Sequence, residues 1–193
     1  IPTATLIAQN SLDDYPTAGG NNGDLFTVEV SGTSGSAIVD LRIFHPSGAL
    51  YYENSGFDLG LPIPNGSRFG LTSWSSSSSI FDDFRLQISS NGNFAFDFEA
   101  SGNLNEQANW STLAFGNNNA DFTFVTEPFG NGGQSLKAAA GPSVLASYDS
   151  AVLGENASFS ASLDVGYPSS GIFGGLTFGL TDSNNWFSFE LAN

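Results

Sequence analysis

Three features of the sequence predict an all-β fold. Apolar residues alternate or gather in short runs of strand length, as in LFTVEV at Leu25–Val30 and ASFSASLDV at Ala157–Val165. Clusters of Gly, Asn, Ser and Pro separate these runs at the spacing of successive strands. Helical periodicity is nearly absent. The one helical candidate is a single turn near Leu136–Ala140, where Gly141-Pro142 stops it.

Taken in order, Thr3–Gln9 reads as a first strand. A long polar loop follows from Ser11 to Asp24, carrying Asp13, Asp14 and Asp24. Leu25–Val30 is a strand, Ser31–Ser36 a turn, and Ala37–Phe44 the next strand. His45-Pro-Ser-Gly48 turns the chain into Ala49–Glu53 as a hairpin. Phe57–Leu61 reads as a short edge strand, because Pro62 and Pro64 cannot sit in a central ladder. Arg68–Trp74 is a strand, and the serines 75–79 form a loop.

Ile80–Ile88 mixes aromatic, aliphatic and charged residues, as a strand with one wet face does. After the turn at Ser89–Asn93, Phe94–Glu99 alternates with Phe on one face. Strands are then expected around Thr112–Phe115, Asp121–Val125, Ser135–Ala139 and Ser143–Tyr148. Ala157–Val165, Gly171–Leu180 and Asn185–Leu191 complete the set.

Composition narrows the function classes. Nineteen acidic residues against four basic ones give a formal charge of −15, which repels phosphate backbones and anionic lipid. The absence of Cys excludes disulfides, thiol catalysis and thiolate metal sites. No apolar run approaches the roughly 20 residues needed to span a bilayer as a helix. Abundant Gly, Asn and Ser, few Lys and a start at Ile1 are read as signs of export, placing the chain outside the cell or on its surface as a processed product or a segment of something longer.

Two segments resemble opposite ends of one family, the laminin-G-like, concanavalin A-like jelly roll. GIFGGLTFGLTDSNNWFSFEL within Ala157–Leu191 is similar to the family's central strands, and Phe94–Trp110 to its opening strand. Leu25–Gln87 resembles the closing half. There LRIFHPSGALYY stands for the hairpin, Gly66-Ser-Arg-Phe-Gly-Leu71 for the penultimate strand and Phe81-Asp-Asp-Phe-Arg-Leu86 for the last.

The order is inverted: residues 1–90 supply the C-terminal half of a jelly roll and residues 91–193 the N-terminal half. The resemblance implies a two-sheet antiparallel sandwich, permuted or completed by a neighbouring unit. Its inward residues would include Phe26, Ile43, Phe84, Phe96, Phe98, Phe159, Leu163, Phe178, Phe187 and Phe189. Three readings fit the inversion: a closed circular permutant, one period of a tandem array, or half-domain exchange between subunits. Pairing between successive units is the favoured one.

The resemblance also implies a structural Ca²⁺ between the last and first strands. Asp82, Glu99, Gly102 and Asn103 would be its ligands, with Asp83 as a further candidate; hard oxygen donors from separate segments suit that ion. The plainer reading is a set of surface carboxylates at strand ends. Asp13, Asp14 and Asp24 lack the spacing of an EF-hand loop and read as a solvated loop.

Of the tryptophans, Trp110 and Trp186 stand at core positions of the family, whereas Trp74, beside the serine loop, is the candidate for stacking on a sugar ring. His45 has no nucleophile or second His beside it and reads as a turn residue. Glu127 and Asp164 are isolated, and no Glu-x-Asp-x-x-Glu string of the fold's glycosidases occurs. The sequons at Asn65, Asn109 and Asn156 are what a chain rich in Asn and Ser contains by chance.

These observations lead to a non-catalytic structural or adhesive domain of an extracellular filament or tandem-repeat surface protein. Its partners would be copies of itself, joined head to tail by strand or half-domain complementation. The rival class is a carbohydrate-binding, lectin-like module.

Overall fold

The computed structural model describes residues 24–32, 35–44, 47–75, 79–89, 92–99, 102–112, 122–126, 133–138, 141–166, 173–182 and 185–192. Strands in the first half are β1 (Asp24–Gly32), β2 (Ala37–Phe44), β3 (Leu50–Asp58), β4 (Ser67–Ser75) and β5 (Ile80–Ile88). Next come β6 (Gly92–Phe96), a 3₁₀ turn at Leu104–Glu106, β7 (Trp110–Thr112), β8 (Phe122–Val125) and β9 (Ser135–Ala138). The last are β10 (Gly141–Leu153), β11 (Phe159–Gly166), β12 (Phe173–Asp182) and β13 (Asn185–Ala192).

They form two antiparallel sheets. The larger runs β3-β2-β1-β11-β5-β9-β8, with β6 also paired to β5; the smaller runs β13-β12-β4-β10-β7. Neither closes into a barrel. The fold is the all-β two-sheet sandwich that the sequence predicts.

Period-two patterning decides which faces meet. In β11, Phe159, Ala161, Leu163 and Val165 are buried while Ser160, Ser162 and Asp164 are only half-buried on the other face. Across the core, the Phe69 ring of β4 meets the Phe159 ring of β11 edge-on at 4.4 Å, and Phe159 lies 5.6 Å from Phe178 of β12. Of the residues expected to point inward, Ile43, Phe84, Phe98, Phe159, Leu163 and Phe178 are buried. Phe96, Phe187 and Phe189 are partly buried against the core, and the side chain of Phe26 lies outside the described residues.

The two halves of the sequence interleave in both sheets. β11 lies between β1 and β5, and β4 lies between β12 and β10. These pairings occur within one chain. Asp24 pairs with Val165, which pairs with Phe81; Ala192 pairs with Phe173, which pairs with Trp74. Trp74 and Ile80 flank the short crossing from β4 to β5. Both ends of the described chain therefore sit at one pole of the sandwich.

Four local expectations change. Ala49–Glu53 and Phe57–Leu61 are not separate strands: β3 runs unbroken from Leu50 to Asp58 through a bulge, where Ser55 and Gly56 face the single residue Asp40. Gly56 adopts φ +72° and its N–H donates to Asp40 Oδ1 at 2.7 Å, so the glycine bends the strand without ending it. The Phe-rich strand expected to reach Glu99 stops at Phe96, and Phe98 takes φ +55° and turns fully into the core. The helical candidate at Leu136–Ala140 is replaced by β9, whose backbone pairs with both β8 and β5 while Leu136 and Ala138 are buried. Finally, β10 extends from Gly141 to Leu153, well past the expected Ser143–Tyr148. Thr3–Gln9 lies outside the described residues.

Candidate functional site: an acidic gap in the larger sheet

One edge of β5 changes partner part-way along. From Phe84 to Ile88 it pairs with β6, and at Ile80–Phe81 with β9. Asp82 and Asp83 occupy the gap between these neighbours. On the other edge, Asp82 pairs with Asp164 and Arg85 with Ser162, so β5 carries one extra residue there. This is a β-bulge, with Asp83 at φ +48°. The Asp-Asp pair thus stands where the ladder is interrupted on one side and distorted on the other.

Asp82 is 4% exposed, and its Oδ1 accepts the Asp83 N–H at 2.9 Å. Burial pushes its carboxyl up to about 7, against the pull of that N–H; the nearby charges of Asp83, Asp164 and Glu99 push in the same direction as burial. Asp164 is raised to about 6, first by burial and then by Asp83, with Arg85 opposing. Arg85 lies 3.5 Å from Asp83 but is itself largely exposed, so this pair contributes little.

Glu99 closes the gap from outside. Its Oε1 accepts the Gln134 N–H at 3.0 Å, tying the exit of β6 to the entry of β9. Gly133 (φ +124°) passes so close to this carboxylate that a Cβ there would overlap it. Gly102 and Asn103 lie one step further along. The Gly102 carbonyl accepts the Phe124 N–H at 3.2 Å, and Asn103 bridges to Thr123. The Asn103 N–H donates to Glu106 Oε2 at 3.3 Å as part of a capping box on the 3₁₀ turn.

The sequence-derived ligands thus divide into two groups. Asp82, Asp83 and Glu99 gather around the gap, whereas the backbone of Gly102 and Asn103 is engaged with β8 and the turn. As a donor set, carboxylate oxygens from the buried Asp82, the half-buried Asp83 and the exposed Glu99 are of the type that suits a hard cation. Among the described residues, however, no three Asp, Glu, His or Cys side chains converge as a metal-binding group. Asp164, isolated in the sequence, becomes the register partner of Asp82. The alternation of β11 places Asp164 on the outer face, but only the pairing with β5 brings the two carboxyls together.

Trp110 is buried among Phe84, Phe96, Phe98 and Tyr148, with ring centroids 5.0–6.0 Å away, as its core assignment requires. Trp186 is half-buried on β13. The side chain of Trp74, the candidate sugar platform, lies outside the described residues, as do His45, Asp13 and Asp14. No described helix is long and apolar enough to cross a membrane.

No protein-family model matches the chain, and no curated protein matches it significantly.

Proposed function

We propose that the chain is a non-catalytic adhesive and structural domain of an extracellular filament or tandem-repeat surface protein, built on a permuted concanavalin A-like jelly roll. The observation that carries this reading is the shared pole of Asp24 and Ala192. A module whose first described strand begins and whose last described strand ends at one pole can present the opposite pole to a neighbour. The acidic composition supports it by keeping such units soluble and apart from anionic surfaces.

Copies of the same chain are the proposed partners. The contacts between the halves join strands distant in sequence, and the chain passes from one half to the other through the single junction Ser89–Gly92. The same contacts made between chains would give a head-to-tail, half-exchanged polymer with a domain core as its interface. Ca²⁺ at the Asp82–Glu99 gap is the proposed clamp: a divalent cation relieves the crowding of like charges and stiffens the β5–β6 turn. Sizing chromatography with electron microscopy, with and without chelator, tests the assembly. Regular fibres or a ladder of oligomers are expected. A stable monomer at every concentration, in both conditions, would end the polymer reading.

A further inference from the structure

We infer that Asn65, Asn109 and Asn156 are acceptor sites for N-linked glycans, gathered toward the pole opposite the chain ends. Composition alone lets three Asn-x-Ser strings fall anywhere in the chain, but the fold sets each in the same kind of place. Asn65 lies in the turn 64–67, Asn109 in 107–110 and Asn156 in 154–157. In each turn the last N–H donates to the first carbonyl, at 3.3, 3.4 and 3.2 Å respectively. Asn65 and Asn109 are exposed and Asn156 is half-buried. The three turns also meet around one strand end. The Gly66 N–H donates to the carbonyl of Leu153, the last residue of β10, and the Asn156 turn leaves β10 directly at Gly154. Nearby on β10, the Asp149 N–H donates to the Asn109 carbonyl at 2.6 Å. Leu153 pairs with Ser67, at the end of β4 away from Trp74, and so away from the pole of Asp24 and Ala192.

The plainer reading is that asparagine suits tight turns. That accounts for Asn109 at φ +72° and Asn156 at φ +57°, a region asparagine tolerates. It does not account for Asn65, where the positive φ belongs to Gly66, nor for the convergence of all three on one strand end. The chemistry needs a chain outside the cell and a transferase that reads the serine two residues on. The Asn Nδ2 attacks the anomeric carbon of an oligosaccharide carried on a lipid diphosphate. The N–C bond forms as the C–O bond to the diphosphate breaks; the diphosphate leaves with the lipid, and one amide proton passes to a base of the transferase. Ser67 and Trp110 are buried in the fold, which does not block a transfer made to the extended chain before its strands pair. What the fold must supply is room for the attached sugar, and a surface turn supplies it without filling a sheet face. Val152, 41% exposed at the same end of β10, is the apolar residue such glycans would cover. They hang outside the core, so half-exchange between copies stays open. The inference goes beyond the reading above and rests on one part of it, export.

The test takes the full chain from the medium or surface of its producing cells and maps the peptides holding the three asparagines by mass spectrometry, before and after peptide-N-glycosidase. Glycans are expected on at least two of the three, with aspartate left at each site after the enzyme. Asn65→Gln should remove one glycan and shift the intact mass by that amount. At the two left-handed positions, Ser111→Ala and Ser158→Ala keep the asparagine in its turn and should each remove one glycan, so a strained glutamine does not confuse the result. Bare asparagine at two or more of the sites in the exported protein would overturn the inference, as would a glycan mass unchanged by all three variants. A chain outside the cell with bare asparagines would sink this inference alone. A chain confined to the cell interior would sink the export reading and the inference with it.

Discussion

Replacing Asp82 by Asn should stabilise this protein at alkaline pH and do almost nothing at acid pH. Asparagine keeps the shape of the side chain and the Oδ1 acceptor for the Asp83 N–H, and removes the charge that burial and three neighbouring carboxylates oppose. The sign follows from linkage. The folded-state pKa is raised from 3.8 to about 7, so the folded protein holds its proton more tightly than the unfolded chain. Stability therefore falls as pH rises from about 4 to about 7 and levels off above. Asp164, raised to about 6, contributes in the same sense over a narrower window. At about 1.4 kcal/mol per tenfold change in proton affinity, the Asp82 shift sets an upper bound of about 4 kcal/mol. Because the cluster is coupled, the gain expected for Asp82→Asn at pH 8 is about 1–3 kcal/mol. Urea denaturation at pH 4, 6 and 8 in EGTA measures it. An Asn variant no more stable than the parent at pH 8, with the pH slope unchanged, would refute the electrostatic argument. Repeating the pH 8 series in Ca²⁺ tests the clamp: the parent should gain stability and the variant should gain much less.

Three further outcomes follow from packing. A Cβ at Gly70 would overlap the Ala146 carbonyl, which is backbone and cannot swing aside, whereas a Cβ at Gly174 would meet Ser79 Oγ at 2.5 Å and the edge of Phe81 at 3.3 Å. Gly70→Ala should therefore cost about 3 kcal/mol or prevent folding, and Gly174→Ala clearly less; equal melting temperatures would count against the register of β4 and β10. Phe178→Ala removes the ring between Phe159 on one side and the stacked Phe187 and Phe189 on the other. It should cost about 3–5 kcal/mol by urea denaturation, and a loss below 1 kcal/mol would contradict the described core. Expressed separately, residues 1–90 and 91–193 should each be unfolded or aggregated and should regain β-sheet circular dichroism on mixing. Two halves that each fold alone would show that the interleaved pairing is not needed.

The all-β class and most strand positions are legible in the sequence because they depend on local period. Alternation in Ala157–Val165 and Ala37–Phe44, with glycine, asparagine and proline between runs, needs no partner strand to be read. Where a long-range contact overrules local signals, the reading fails. Gly56 looks like a strand end until Asp40 is placed opposite it, Leu136–Ala138 is held extended by neighbours on both sides, and Phe98 leaves its pattern to fill a core built by other strands.

The candidate site divides the same way. Asp82, Asp83 and Glu99 can be singled out from the sequence, since acids on an otherwise aromatic strand are conspicuous. Only the tertiary structure decides that Asp164 joins them, that Glu99 is tied to Gln134, and that the carboxyl of Asp82 is buried enough to hold its proton near neutrality. The physical reason is that period and turn chemistry are properties of neighbouring residues. Burial and repulsion belong to groups some eighty residues apart, brought together by a pairing that no local pattern encodes.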